Sequence, residues 1–327
     1  MLQRKNVRIR KRKNTKVYID GQAGTTGLKL FERIRNRSDI ELLTIDPALH
    51  RDNAERARLI NESDVTFLCL PDAASVEAVS FVENPETRII DASTAHRTNP
   101  DWAYGFPELS AAHREKIVHS KRVAVPGCYA SGFNSLVYPM IQSGMMPKDY
   151  PVTCHAVSGY SGAGKNAIAV YESEDKPLDF ESPRQYALGQ KHKHQPEMQK
   201  ISGLTYAPMF NPMVCDYYAG MVVSVPLHRR LLSGNPSPEE IHAMFEKHYA
   251  GQRFVKVRAL QGADVLENGF LPANTLAGTN LLEIFVCGNE EQILLAARLD
   301  NLGKGASGAA LQCFNIMTGA PEETGLE

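Results

Sequence analysis

The stretch Lys16-Val-Tyr-Ile-Asp20-Gly21-Gln-Ala23-Gly24-Thr25-Thr26-Gly27 reads as a buried strand, a glycine loop and the start of a helix. That helix is predicted over residues 24–36, with Leu28, Phe31 and Ile34 on one face. A glycine loop between strand and helix is the opening unit of a dinucleotide-binding α/β fold. The helix start offers unpaired N–H groups and a positive dipole end, and glycines let the backbone approach a pyrophosphate. The spacing is G-x-x-G-x-x-G rather than G-x-G-x-x-G, so the strand–loop–helix setting carries the reading against a plain turn.

Working outward, Glu41–Ile45, Asp64–Leu70 and Thr87–Asp91 read as further short apolar strands, with a helix over Asp72–Phe81. Continuous rather than alternating apolar strands with helices between them indicate a parallel sheet covered on both faces. After about residue 150 the strand candidates lengthen: Ala219–Leu227, Phe254–Leu260, and Leu281–Cys287 with Gln292–Leu299 about a turn at Gly288-Asn-Glu-Glu291. A helix is predicted to start at Ser237, which can cap it ahead of Pro238, and a last one to span Gly305–Thr318. The expected fold class is therefore α/β: a Rossmann-like doubly wound parallel sheet plus a second α+β domain with a mixed or antiparallel sheet. The expected division is a basic tail over 1–15, a cofactor domain over 16–127 completed by 300–327, and a second domain over 128–299.

Composition narrows the function classes. With 327 residues, 43% hydrophobic and 22% charged, the chain is of ordinary globular make-up and has no apolar run of about 18 residues that would cross a bilayer. The net charge of −1 conceals eight of the 36 basic residues in positions 1–16, leaving 28 basic against 37 acidic residues beyond them. The tail reads as a solvated charge block. It lacks the aromatics that stack on bases and the hydroxyls of a transit peptide, and the acidic body is not a nucleic-acid binder. The charged opening argues against a signal peptide, and six scattered cysteines (69, 128, 154, 215, 287, 313) match neither a disulfide framework nor a metal motif. A reducing, cytoplasmic setting without metal is expected.

Five of those cysteines lie in apolar strand or helix contexts. Cys128 does not: Val123-Ala-Val-Pro-Gly127-Cys128-Tyr-Ala puts it between a strand and a helix running to about Met140. A thiol at a helix start has its thiolate favoured by dipole and free N–H groups, which suits a nucleophile; Asn134 in that helix is a candidate for positioning substrate. The base is sought in Lys191-His192-Lys-His194-Gln-Pro-Glu197, where two histidines precede a helix expected over 196–201; i and i+2 spacing disfavours a helical metal pair. Ser158-Gly-Tyr-Ser161-Gly-Ala-Gly-Lys165 is not a kinase phosphate loop, because Asn166 follows the lysine, but it can present N–H groups to an anion. Arg97 follows the fourth strand, at the sheet end where ligands bind, and suits a phosphate or carboxylate. Asp46 after the second strand suits a ribose hydroxyl and Arg51 a 2′-phosphate; both nicotinamide nucleotides stay open, with a lean to NADP.

In this order the loop, Arg97, V-P-G-C-Y-A, S-G-x-S-G-A-G-K, K-H-K-H-Q-P-E and D-N-L-x-K-G-A-S-G-A-A resemble the N-acetyl-γ-glutamyl-phosphate reductases in their short form, from about Lys16 to Gly319. The wider class includes the aspartate-semialdehyde dehydrogenases. The resemblance implies NADPH-dependent reduction of an acyl phosphate to an aldehyde in arginine biosynthesis, through a thioester on Cys128. It implies a histidine acid–base, His194 or His192, and a substrate pocket of Arg97, Ser158, Ser161 and Lys165, with Glu197 orienting a histidine. For the cofactor it implies contacts from Gly21, Ala23, Gly24, Thr25, Thr26, Gly27, Asp46, Arg51 and Pro71, with Asn301 and Lys304 near the nicotinamide. It also implies a homo-oligomer, dimer or tetramer, and no nucleic-acid or membrane partner. Two rivals remain: an aspartate-semialdehyde dehydrogenase, whose usual histidine segment Ser224-Val-Pro-Leu-His228 matches poorly, and a non-enzymatic NADP-sensing regulator.

Overall fold

A computed structural model describes residues 14–326, so most of the basic tail lies outside the described residues. Thr15–Asp20 forms β1, followed by α1 (Thr25–Ile34), β2 (Ile40–Leu43), α2 (Asn53–Glu62), β3 (Val65–Leu68), α3 (Asp72–Ser80) and β4 (Arg88–Asp91). Then come β5 (Ala103–Tyr104), α4 (Ala111–His119) and β6 (Arg122–Ala124). These strands make a six-stranded sheet in the order β2-β1-β3-β4-β6-β5, all pairs parallel. Val17, Ile19 and Phe67 pack on one face with Leu30 of α1, and Tyr18, Leu68 and Ile89 pack on the other with Leu59 and Ile60 of α2. Burial on both faces is why these strands carry unbroken apolar runs.

The buried face of α1 is Gly27, Leu30 and Ile34, with Phe31 packed beside them; Leu28 points outward and is half exposed, against the expected face. Helix α2 falls in a segment with no predicted element. Its sequence is polar, and only Arg56, Leu59 and Ile60 are buried, so its hydrophobic period is faint.

The chain leaves the first sheet at Val125-Pro-Gly127 and enters α5 (Cys128–Gln142). The second sheet contains β7 (Thr153–Gly159), β8 (Arg184–Gln185), β9 (Met209–Cys215), β10 (Met221–His228), β11 (Val255–Val257), β12 (Leu282–Gly288) and β13 (Gln292–Leu299). Its order is β11-β12-β13-β10-β7-β9-β8, with mixed pairing. The β12–β13 hairpin closes about the predicted turn, Gly288 facing Ile293. Between β7 and β9 lie α6 (Lys165–Tyr171) and α7 (Gln195–Ser202), and α8 (Pro238–His248) starts on a Ser237–Glu240 capping box. Helix α5 is buried along almost its whole length. Phe133, Leu136, Val137 and Met140 join Val223, Leu295 and Leu299 of the sheet in the largest core cluster.

The chain then returns to the first sheet. Gly303–Ser307 is a single π-helical turn and α9 follows at Gly308–Thr318, later than the predicted start at Gly305. Leu311, Phe314 and Met317 of α9 are buried with Val17, Ile19 and Phe67.

Candidate active site

Glycines set the cofactor end. Gly21 holds φ +86°, where an L side chain is strained, and a Cβ there would overlap the Cys69 carbonyl. A Cβ on Gly27 would overlap the Gly21 carbonyl, so both positions exclude any side chain. Gly24, Thr25 and Thr26 then present the start of α1 to a cleft of about 310 Å³ that also takes in Cys69, Leu70 and Asn301. Narrow loop, bare helix start and cleft together fit a dinucleotide pyrophosphate. Ala23 is on the exposed side of the loop, and Pro71 precedes α3 just outside the lining. Asp46 and Arg51 stand farther out, on the exposed loop after β2, and one oxygen of the Asp46 carboxylate accepts from Ala48 N–H (2.8 Å) to cap its own turn.

Cys128 occupies the first position of α5, where the two sheets meet. Burial pushes its thiol up to about 11, against the pull of the Arg97 guanidinium and the Tyr129 N–H. Desolvation outweighs the helix start, so the resting group is a thiol and not the thiolate that its position predicted. It needs a base.

The histidine loop supplies one, and the two imidazoles differ. His192 uses Nδ1 to accept the His194 N–H (3.1 Å) and sits among Tyr129, Tyr186 and Phe210, holding the loop together. His194 is buried over Gly127: a Cβ built on that glycine would stand 2.5 Å from His194 Nε2 and 2.5 Å from Arg97 Nη1. Burial, with Arg97 nearby, pushes His194 well below the ordinary imidazole value, so it is neutral and able to accept a proton. The structure thus brings His194 and Arg97 together over the residue before Cys128.

Arg97 is fixed on three sides. Its Nε donates to Val125 O (2.8 Å), one terminal nitrogen to Ala92 O (3.0 Å), and the other to Glu197 Oε2 (3.2 Å). Glu197 also accepts from the Tyr104 hydroxyl (2.7 Å) and the Gly127 N–H (3.0 Å). Glu197 therefore orients the arginine and the glycine rather than a histidine, as its expected role had it. Asn134 donates to Tyr104 (3.0 Å) and is wholly buried, so it braces this network instead of meeting substrate.

Asn301 lines the cleft and ties its walls, donating to Ser161 Oγ (2.9 Å) and accepting from Gly220 N–H (2.9 Å). Gly305 lies against Cys128, where a Cβ would come within 2.7 Å of the Cys128 Cβ. Lys304 is a correction: it points away from the cleft, 2% exposed, and donates to Glu108 Oε1 (2.7 Å) and Gln312 Oε1 (2.6 Å). The π-turn puts its neighbour Gly305, not Lys304, toward the cysteine. Lys165 opens α6 exposed to solvent, one residue beyond Gly164 on the cleft wall. Ser158 lines a second lobe of the cleft, with its hydroxyl on Gly159 O (3.0 Å). The sequence reading missed Tyr186, Lys193 and Cys69 on these walls. Lys193 alone had a signal, as the residue between the paired histidines.

Among the described residues no three His, Cys, Asp or Glu side chains gather to hold a metal ion, and no helix is long and apolar enough to cross a membrane.

A parallel nucleotide sheet, a mixed second sheet and a cysteine at their junction define the semialdehyde dehydrogenase class. Residues 47–117 match the family model "semialdehyde dehydrogenase, NAD binding domain", and residues 128–301 match "semialdehyde dehydrogenase, dimerisation domain". Aspartate semialdehyde dehydrogenase II of Vibrio cholerae, solved with ASA, superposes with TM-score 0.68 over 94% of this chain and 98% of its own, at 15% identity. A probable aspartate-semialdehyde dehydrogenase of Pseudomonas aeruginosa gives 0.69 over 94% and 99%, at 13%. These likenesses show the fold. N-acetyl-gamma-glutamyl-phosphate reductase 2 of a Nostoc species is 48% identical over 95% of this chain and 99% of that protein, and the Burkholderia lata reductase is 48% identical over 94% and 97%. The chain belongs to the N-acetyl-γ-glutamyl-phosphate reductase family.

Proposed function

We propose that the protein catalyses the NADP(H)-dependent, reversible conversion of N-acetyl-L-glutamyl 5-phosphate to N-acetyl-L-glutamate 5-semialdehyde, in the arginine pathway of the cytoplasm. One observation carries the reading: a neutral His194 and the Arg97 guanidinium converge over Gly127, at the helix start that holds Cys128, in a cleft shared with the glycine loop.

His194 Nε2 takes the thiol proton as Cys128 Sγ attacks the acyl carbon. The carbonyl oxygen gains negative charge, which amides at the α5 start and the fixed Arg97 stabilise. Phosphate leaves, and the acyl group remains as a thioester on Sγ. Held at the glycine loop, NADPH would supply the hydride that reduces the thioester to the aldehyde. His194 then returns its proton to the departing thiolate. Glu197 holds Arg97, and Asn301 with Ser161 keeps the cleft wall in place. Gly24, Thr25 and Thr26 would hold the pyrophosphate. Arg51, exposed on the loop after β2, is the cationic side chain offered to a 2′-phosphate, which supports NADP over NAD. Residues 16–127 with the 300–327 return form the cofactor domain and 128–299 the catalytic domain. The second sheet pairs subunits as a dimer or tetramer.

The test is phosphate-dependent reduction of NADP and of NAD with N-acetylglutamate semialdehyde and with aspartate semialdehyde. Turnover confined to the aspartyl compound overturns the substrate. Cys128→Ser is expected to lower turnover by orders of magnitude while NADPH still binds; cofactor binding without any turnover in the unaltered protein would instead make it a regulator.

A further inference from the structure

Two lobes of the cleft meet at Cys128, Tyr129, Gly162, Tyr186, His192 and Lys193. The first holds the glycine loop. The second, about 560 Å³, has no such loop and ends against β8 and α6. A dinucleotide needs the first lobe, so the part of the substrate beyond its reacting carbonyl belongs in the second. In N-acetylglutamyl phosphate that part carries an α-carboxylate, which a cationic side chain recognises.

We propose that Arg184 binds the substrate α-carboxylate and sets the preference for it, an inference that rests on the substrate assigned above. Two fully charged side chains line the second lobe, Lys193 and Arg184. Lys193 lies on both lobes at their junction, the place of the transferred phosphate; Arg184 belongs to the second lobe alone. Its backbone is fixed by strand pairing, Arg184 opposite Val214 of β9. The guanidinium lies over Phe180, 3.3 Å from the ring centroid, and one nitrogen donates to the Tyr171 hydroxyl (2.9 Å). Nη1 forms an ion pair with the exposed carboxylate of Asp179 (3.6 Å). A planar fork held on an aromatic plate, its ion pair long and solvent-exposed, suits exchange of that partner for a substrate carboxylate.

The experiment compares N-acetylglutamate semialdehyde with 4-acetamidobutanal, the same aldehyde lacking the carboxylate, in the wild type and in Arg184→Met and Arg184→Lys. Arg184→Met is expected to lower kcat/KM for the carboxylated aldehyde about 100-fold, mainly through KM, while 4-acetamidobutanal changes less than threefold. Arg184→Lys, keeping the charge without the fork, should recover part of the preference. An equal fall with both aldehydes would assign Arg184 a structural role and overturn the proposal, as would an unchanged preference. A wild type inactive with N-acetylglutamate semialdehyde overturns the substrate assignment itself, and this proposal with it. Thermal melts of both variants exclude misfolding as the cause.

Discussion

Gly127→Ala tests the geometry of the site directly. The backbone there has φ −72° and ψ 147°, which alanine adopts without strain. The added methyl would meet Arg97 Nη1 and His194 Nε2 at 2.5 Å and His194 Cε1 at 2.6 Å. Unbonded atoms of this kind rest at roughly 3.5 Å, so both groups must retreat by about 1 Å. Neither has free room: Arg97 is held at Val125, Ala92 and Glu197, and the imidazole lies among Tyr129 and His192. Misplacement of catalytic groups by about 1 Å costs on the order of 100-fold in rate. The fold loses about 1 kcal/mol at the cap and about 1–3 kcal/mol from overpacking, roughly 3–6 °C in Tm for a chain of this size, which the melt reads separately from the rate. The assay is phosphate-dependent NADP reduction with N-acetylglutamate semialdehyde, run beside a thermal melt and NADPH titration. A variant with kcat within threefold of wild type would refute the placement of His194 and Arg97 as the working pair.

Because His194 is held neutral well below its ordinary 6.5, the acid limb of kcat/KM should lie below that pH, and His194→Asn should remove both the limb and most of the activity; a limb at 7 or above contradicts the assignment. His192 is likewise lowered, to about 4. The unfolded chain therefore binds these protons first, and stability should fall as pH drops through 6.5 toward 4, less steeply in a His192→Asn/His194→Asn variant when urea midpoints are followed. Lys304→Met takes the ammonium partner from the buried Glu108 carboxyl and should cost about 3–5 kcal/mol in urea unfolding, part of it recovered by Glu108→Leu in the same chain, with NADPH affinity in the surviving fold unchanged. Glu197 opposes ionisation of Cys128, so Glu197→Gln should move the alkylation midpoint of that thiol below about 11 while lowering kcat through a loosened Arg97; an unmoved midpoint counts against the coupling.

Elements with strong local signals were legible in the sequence. The apolar runs of β1, β3 and β4 predicted a parallel sheet because each strand is buried on both faces, and the Ser237 cap and Gly288 turn were written in local chemistry. Helix α2 was not, since a polar helix with three buried residues has little period to read. Within the site, glycines were visible as a motif, but their reasons are tertiary. Gly127 is bare because two side chains from distant segments occupy its Cβ position, and Gly305 is bare because Cys128 does. Lys304 was misplaced for the same cause: one π-helical turn decides which residue of the return faces the cysteine, and its charge found Glu108, 196 residues away. Arg184 carried no motif at all. Its place comes from β8 pairing with β9, which sets it on the wall of the second lobe.

The resting thiol can be understood from competing magnitudes. A helix start and a nearby guanidinium favour a thiolate, and from sequence alone they decide the sign. In the fold, Glu197 offsets part of the field of its partner Arg97 at Sγ, and burial outweighs what Arg97, the Tyr129 N–H and Lys193 contribute in the other direction. Desolvation wins, and Cys128 stays protonated. A thiol is a poor target for oxidants, which attack thiolates, so a protonated cysteine on the cleft wall is spared between turnovers. The cost is that ionisation must be made at the moment of attack. That assigns the work to a neutral base within the same closed space, which His194 is kept neutral to do. The two displaced ionisations, thiol upward and imidazole downward, share burial as their first cause. Both oppose transfer of the proton from sulfur to nitrogen in the resting site, so no ion pair stands beforehand and the transfer is tied to formation of the bond to the acyl carbon, when sulfur loses its basicity.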